Sequence, residues 1–195
     1  MKRILFAVLI MIVVPMAAFA VDGVVLINQS TVMAAGGFPY IISQPGSYKL
    51  TGKLTVPAGV NGVAISASNV TLDLNGFSIE GPACAPTFPF CFLFGITVPS
   101  PQAGIIVRNG AVLGFLGAID LDRAGYSLAE DLVVYTNGIA HGTTHFGASN
   151  VIRHVISNSP VQLNCPSVVA ETIVPDFLTG GSSSCVFTGS SGSVF

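Results

Sequence analysis

Gly62-Val63-Ala64-Ile65 is a phrase that the chain repeats, as Gly95-Ile96-Thr97-Val98, Ala118-Ile119-Asp120-Leu121, Gly138-Ile139-Ala140-His141 and Pro160-Val161-Gln162-Leu163. From one start to the next the spacings are 33, 23, 20 and 22 residues. A small residue followed by alternating apolar positions, returning at a period in the twenties, predicts a solenoid with rungs of about 22 residues. The phrase settles architecture better than activity.

Within a rung the pattern is that of strands. In Val70-Thr71-Leu72-Asp73-Leu74 the apolar residues share one face, and Thr71 and Asp73 share the other. Asn-Gly pairs at Asn61-Gly62, Asn75-Gly76, Asn109-Gly110 and Asn137-Gly138 interrupt the strands. Such pairs ordinarily close two-residue hairpins, which would give an antiparallel sandwich. Here they keep step with the long period, Asn137 and Asn158 being 21 residues apart, so they are expected at the bends of a coil. Asn tolerates the left-handed backbone of a tight bend, and stacked Asn side chains can hydrogen-bond along the stack. Helical patterns are almost absent after residue 20; Ala124 to Val134 has room for a helical turn, yet Asp131-Leu132-Val133-Val134-Tyr135 fits a strand better. The predicted fold is all-β, a right-handed parallel β-helix with three short strands per coil.

Residues 1–20 have the form of an export signal: Lys2 and Arg3, the apolar run Ile4 to Val14, then Ala18-Phe19-Ala20 before Val21. Residues 21–195 then form one domain, without a further apolar stretch long enough to span a bilayer. Charged residues are 8% of the chain and the formal net charge is −2, which offers no footprint for nucleic acid. A secreted or periplasmic location follows. Four cysteines in an exported chain suggest disulfides, and four allow three pairings. The register favours Cys84–Cys91, stapling an insertion near 81–94 inside the long interval of 33, and Cys165–Cys185, 20 residues apart on neighbouring rungs.

Ile42-Ser43-Gln44-Pro45-Gly46-Ser47-Tyr48-Lys49-Leu50, followed by Val70-Thr71-Leu72-Asp73-Leu74-Asn75-Gly76-Phe77-Ser78-Ile79, resembles the opening of bacterial secreted right-handed parallel β-helix proteins. Val107-Arg108-Asn109-Gly110-Ala111-Val112-Leu113-Gly114-Phe115 is similar to their following coil, and the likeness extends over roughly residues 40–190. That pectate-lyase-like group holds lyases, hydrolases, epimerases and adhesins, so the resemblance implies a fold and not an activity.

Catalysis on such a fold needs converging carboxylates. Asp120 and Asp122 are two apart, with Ile119 and Leu121 inward by register, and an outward Asp pair suits calcium or acid–base work on a glycosidic bond. The simpler reading is a solvated strand face with Arg123 beside it. The polygalacturonase pattern of Asn-Thr-Asp and adjacent aspartates is missing. Pectate-lyase residue types are present in Asp73, Asp120, Asp122 and Arg108 without demonstrable alignment. His141 falls in register with Ile65, Val98, Leu121 and Leu163, which predicts a satisfied core histidine; His154 joins it only if the coils bring both to one side. Phe88, Phe90, Phe92 and Phe94 alternate along the insertion, as sugar-stacking aromatics or as a cap over the stack. Gly23 to Gly37 is expected to cap the other end, with Met33 and Val24 to Ile27 as its apolar surface. The expectation is an exported, non-catalytic scaffold that binds a glycan or a cell-surface partner, without a cofactor unless calcium is one. A polysaccharide-active enzyme on an acidic polymer is the alternative.

Overall fold

The computed structural model describes residues 23–82, 93–136, 144–180 and 185–194. Residues 1–20, Cys84, Phe88, Phe90, Cys91, Phe92 and His141 lie outside them. The described chain is all-β apart from one short helix, and its long sheets are built from parallel pairings throughout, compatible with a β-helix or solenoid. The hairpin alternative for the Asn-Gly pairs is excluded wherever they are described, since none of the flanking strands pair antiparallel. No helix among the described residues is long and apolar enough to cross a membrane.

The pairings form three columns. In the first, Val24, Ser47, Thr71, Ile106, Leu128, Val151, Val168 and Val186 lie side by side on successive passes. The second runs through Leu54, Ile79, Val112, Val134 and Ser157. The third runs through Val63, Ile96 and Ile119, then Thr144 and Val161 one position before the paired His145 and Gln162. Four of the five repeated phrases fall in mutual register in this third column. The fifth is displaced: Leu121 lies beside Phe146, not His141, and Phe146 beside Leu163. The pass is therefore longer there than a uniform rung allows, with 25 residues from Asp120 to His145.

The period also drifts. Steps in the first column are 23, 24, 35, 22, 23, 17 and 18 residues, so the last passes are shorter than the expected rung of about 22. The step of 35 contains the interval between strands Ser78–Glu80 and Phe94–Thr97. Shortening near the end comes from the bends, because strands such as Val161–Asn164 and Val168–Ala170 follow one another with three residues between them.

Each column buries alternate residues. Leu72, Val107, Ala129, Ile152 and Val169 stack in the first, and Ile65, Val98, Leu121, Phe146 and Leu163 in the third, all shielded from solvent. Burying each such side chain contributes about 1.5–3 kcal/mol. The capping helix Gln29–Ala34 begins at Asn28, whose side chain accepts from the Thr31 N–H while the Thr31 hydroxyl takes the Asn28 N–H. It covers the first pass with Val32, which is fully buried; Met33 points outward, contrary to expectation. Cys165 and Cys185 are bonded across neighbouring passes, with Cα atoms 5.1 Å apart. Closing that loop stabilises the fold by about 3 kcal/mol, mainly through the unfolded chain.

Polar groups enter the core only where the stack satisfies them. Ser127, Asn150 and Ser167 are buried on consecutive passes at one bend. The Ser127 hydroxyl takes the Ile105 N–H at 3.1 Å, Asn150 Oδ1 takes the Ser127 N–H at 2.9 Å, and Asn150 Nδ2 donates to the Ala124 and Gly147 carbonyls at 2.9 and 3.0 Å. This is the stacked-polar device expected for Asn, placed at a bend that no Asn-Gly pair marks. Thr144, also fully buried, is the opposite case: its hydroxyl has no partner among the described residues. Thr144→Val is expected to raise the unfolding free energy by about 1 kcal/mol, and Asn150→Leu to lower it by at least ~2 kcal/mol, both measured by urea denaturation.

Candidate functional site

Two bends and the strand face between them carry the exposed chemistry. Asn69, Gly104, Tyr126 and Ser149 occupy the same bend position on four successive passes, each just before the buried position held by Val70, Ile105, Ser127 and Asn150. All four have positive φ, at 56°, 68°, 52° and 62°. Asn and Gly accept that backbone readily, whereas an aromatic residue there costs about 1–2 kcal/mol. Tyr126 is nonetheless 80% exposed and has no hydrogen bond among the described residues, so nothing in the fold repays its presence.

Beyond this bend the first column presents Ile106, Leu128, Val151, Val168 and Val186 in register on its outer face, where earlier passes carry Ser47 and Thr71. Two residues further along the same face runs a ladder of alternating charge: Lys49, Asp73, Arg108, Glu130, Arg153. Arg153 Nε donates to Glu130 Oε2 at 2.7 Å and its Nη2 reaches the same oxygen; Arg108 Nε lies 3.4 Å from Asp73 Oδ2. Bend, apolar floor and charged ladder enclose a groove of about 470 Å3, with Tyr126, Gly104 and Ser149 on one wall and Arg153 on the other. That volume is within the range of small-ligand sites.

The second bend, between the first and second columns, holds Asn109, Asp131, His154 and Glu171, again all at positive φ. His154 Nδ1 donates to Asp131 Oδ1 at 2.9 Å, and Nε2 donates to Glu171 Oε2. Neutral imidazole carries one N–H, so both bonds require the imidazolium. Glu171 first, and Asp131 second, raise the His154 pKa above its ordinary value. Just past this bend Val133, Ile156 and Ile173 form a second exposed aliphatic row.

The residues singled out in sequence are distributed otherwise. Asp120 is half-buried at the third column, but the strand ends at Leu121, so Asp122 and Arg123 belong to the following turn rather than to one strand face. Asp120 Oδ1 takes the Asp122 N–H at 3.1 Å, which is why the chain leaves the strand there. Asp122 Oδ1 accepts from Asn164 Nδ2 at 2.6 Å, and Arg123 Nη1 donates to the Pro99 carbonyl at 3.1 Å. These three side chains tie passes together. Among the described residues no three His, Cys, Asp or Glu side chains are grouped to hold a metal ion. Phe94, the described member of the aromatic row, lies against Gly117 and edge-on to His145 at 6.1 Å, as packing rather than an open shelf.

The sequence analysis missed Tyr126, Glu130, Arg153, Asp131 and Glu171. A signal was available: Arg108, Glu130 and Arg153 follow one another at 22 and 23 residues, and Glu130-Asp131 is answered by Arg153-His154. Charge was never read at the period found for apolar residues. Comparison of the chain with protein-family models, curated proteins and solved structures finds no match.

His154 favours its proton in the folded state, so its bridge adds stability that is complete below the ordinary histidine range and is lost as pH rises through the elevated pKa. NMR titration should place the His154 pKa above that of a free histidine. Glu171→Gln is expected to lower it more than Asp131→Asn.

Proposed function

We propose that the chain is an exported right-handed parallel β-helix, cleaved after residue 20, that serves as a non-catalytic scaffold and binds a glycan through the groove beside Tyr126. Three parallel columns joined by short bends support the helix, and parallel crossovers are right-handed in about 98% of cases. Export is supported by the leader pattern and by the Cys165–Cys185 bond, which suits an oxidising compartment. The observation that carries the binding reading is Tyr126, an exposed aromatic held at an unfavourable backbone position over a row of aliphatic side chains. Aromatic faces of this kind stack on the C–H faces of sugar rings. A cell-surface glycan is the partner that fits an exported scaffold.

The second reading, an enzyme acting on an acidic polymer, draws on Asp131, His154 and Glu171, the acid–base groups of the neighbouring bend. Their polar atoms are engaged with one another, which favours a structural role.

The test is affinity electrophoresis of residues 21–195 through gels containing individual polysaccharides, with product release followed in parallel. Retardation by at least one polysaccharide, lost in Tyr126→Ala, is expected without product. Product formation abolished by His154→Ala would establish the enzymatic reading instead.

A further inference from the structure

We infer that the groove selects uncharged glycan chains and rejects uronate polymers, an inference that rests on the glycan reading above and names its ligand class. The argument is one of charge already committed. Arg153 is the one charged group among the described residues lining the groove, and two of its nitrogens are held by Glu130 Oε2. Glu130 is itself nearly buried, so the pair cannot open without leaving a carboxylate away from water. The next cation along the ladder, Arg108, is set against Asp73, and His154 beyond Arg153 is bracketed by Asp131 and Glu171. An anionic polymer laid on this floor therefore meets no uncommitted cation from the ladder or from the neighbouring bend. It also meets the exposed carboxylates of Asp131 and Glu171. Complementarity of charge sets specificity at such surfaces, and here it excludes the anion.

The groove's remaining chemistry suits a neutral ring. Ile106, Leu128 and Val151 give an apolar floor, Tyr126 an aromatic wall, and Ser149 a half-exposed hydroxyl for a sugar hydroxyl. Gly104 occupies the bend position one pass before Tyr126. A Cβ there would come within 2.9 Å of Asn69 Oδ1, so the bend stays open on that side of the ring.

The experiment is isothermal titration of residues 21–195 with neutral hexasaccharides of glucose, xylose, mannose, galactose and N-acetylglucosamine, and with hexagalacturonate, at low salt. At least one neutral hexasaccharide is expected to bind at least tenfold more tightly than hexagalacturonate. Tyr126→Gly, which suits the positive φ, should lose that binding without lowering the unfolding midpoint, separating a ligand contact from a structural one. Glu130→Gln should release Arg153 and raise hexagalacturonate affinity severalfold. If hexagalacturonate binds as well as every neutral chain, the selectivity is overturned and glycan binding stands. If no hexasaccharide of either kind binds, both fall.

Discussion

Parallel strands laid in register, pass upon pass, are the constraint from which the rest of this structure follows. Each strand satisfies its backbone on the strand before and the strand after, so a residue's neighbours are set by the length of one pass. Column steps near 22–25 residues put like beside like: Leu72 on Val107, Val107 on Ala129, Ala129 on Ile152. The same geometry punishes any buried polar group whose neighbours above and below cannot answer it. Ser127, Asn150 and Ser167 answer one another, and the backbone N–H of one pass ends on the side chain of the next. Thr144, set among Ile119 and Val161, does not.

Register also explains what sits outside. Because exposed positions stack as strictly as buried ones, single substitutions become stripes. Ser47 and Thr71 give way to Ile106, Leu128 and Val151, and a polar face turns aliphatic halfway along the stack. Lys49, Asp73, Arg108, Glu130 and Arg153 alternate in sign because like charges on adjacent parallel strands would repel at close range. The bends impose positive φ at fixed places whatever residue stands there, which is how a tyrosine comes to be held upright beside an apolar floor.

The buried half of this arrangement was legible in the sequence, and the exposed half was not. Val63, Ile96, Ile119 and Val161 share an apolar period that survives because the core tolerates little else, and their columns match the phrase that revealed them. The exposed positions carry no such restriction on residue type, so Tyr126 looks like any surface tyrosine until Gly104 and Ser149 are found at its bend. His141 was misplaced for a related reason. A phrase of small and apolar residues recurs by chance more easily than a strand pairing does, and the pass holding it is longer than the rest. Asp120 and Asp122 satisfied the two-residue spacing of a strand face, but an aspartate bonded to the N–H two residues on ends its strand. That local chemistry outweighs periodicity.

The stacking itself is the claim most directly open to measurement. Val133 and Ile156 are exposed and directly paired on adjacent passes, whereas Val133 and His154 are offset by two positions on the same strands. Paired cysteines at the first two sites fall within disulfide reach, and the offset pair lies beyond it. Mass spectrometry after mild oxidation should find a bridge in Val133→Cys with Ile156→Cys and none in Val133→Cys with His154→Cys. A bridge only in the offset pair, or in neither, would contradict the register on which the groove, the ladder and the bends all depend.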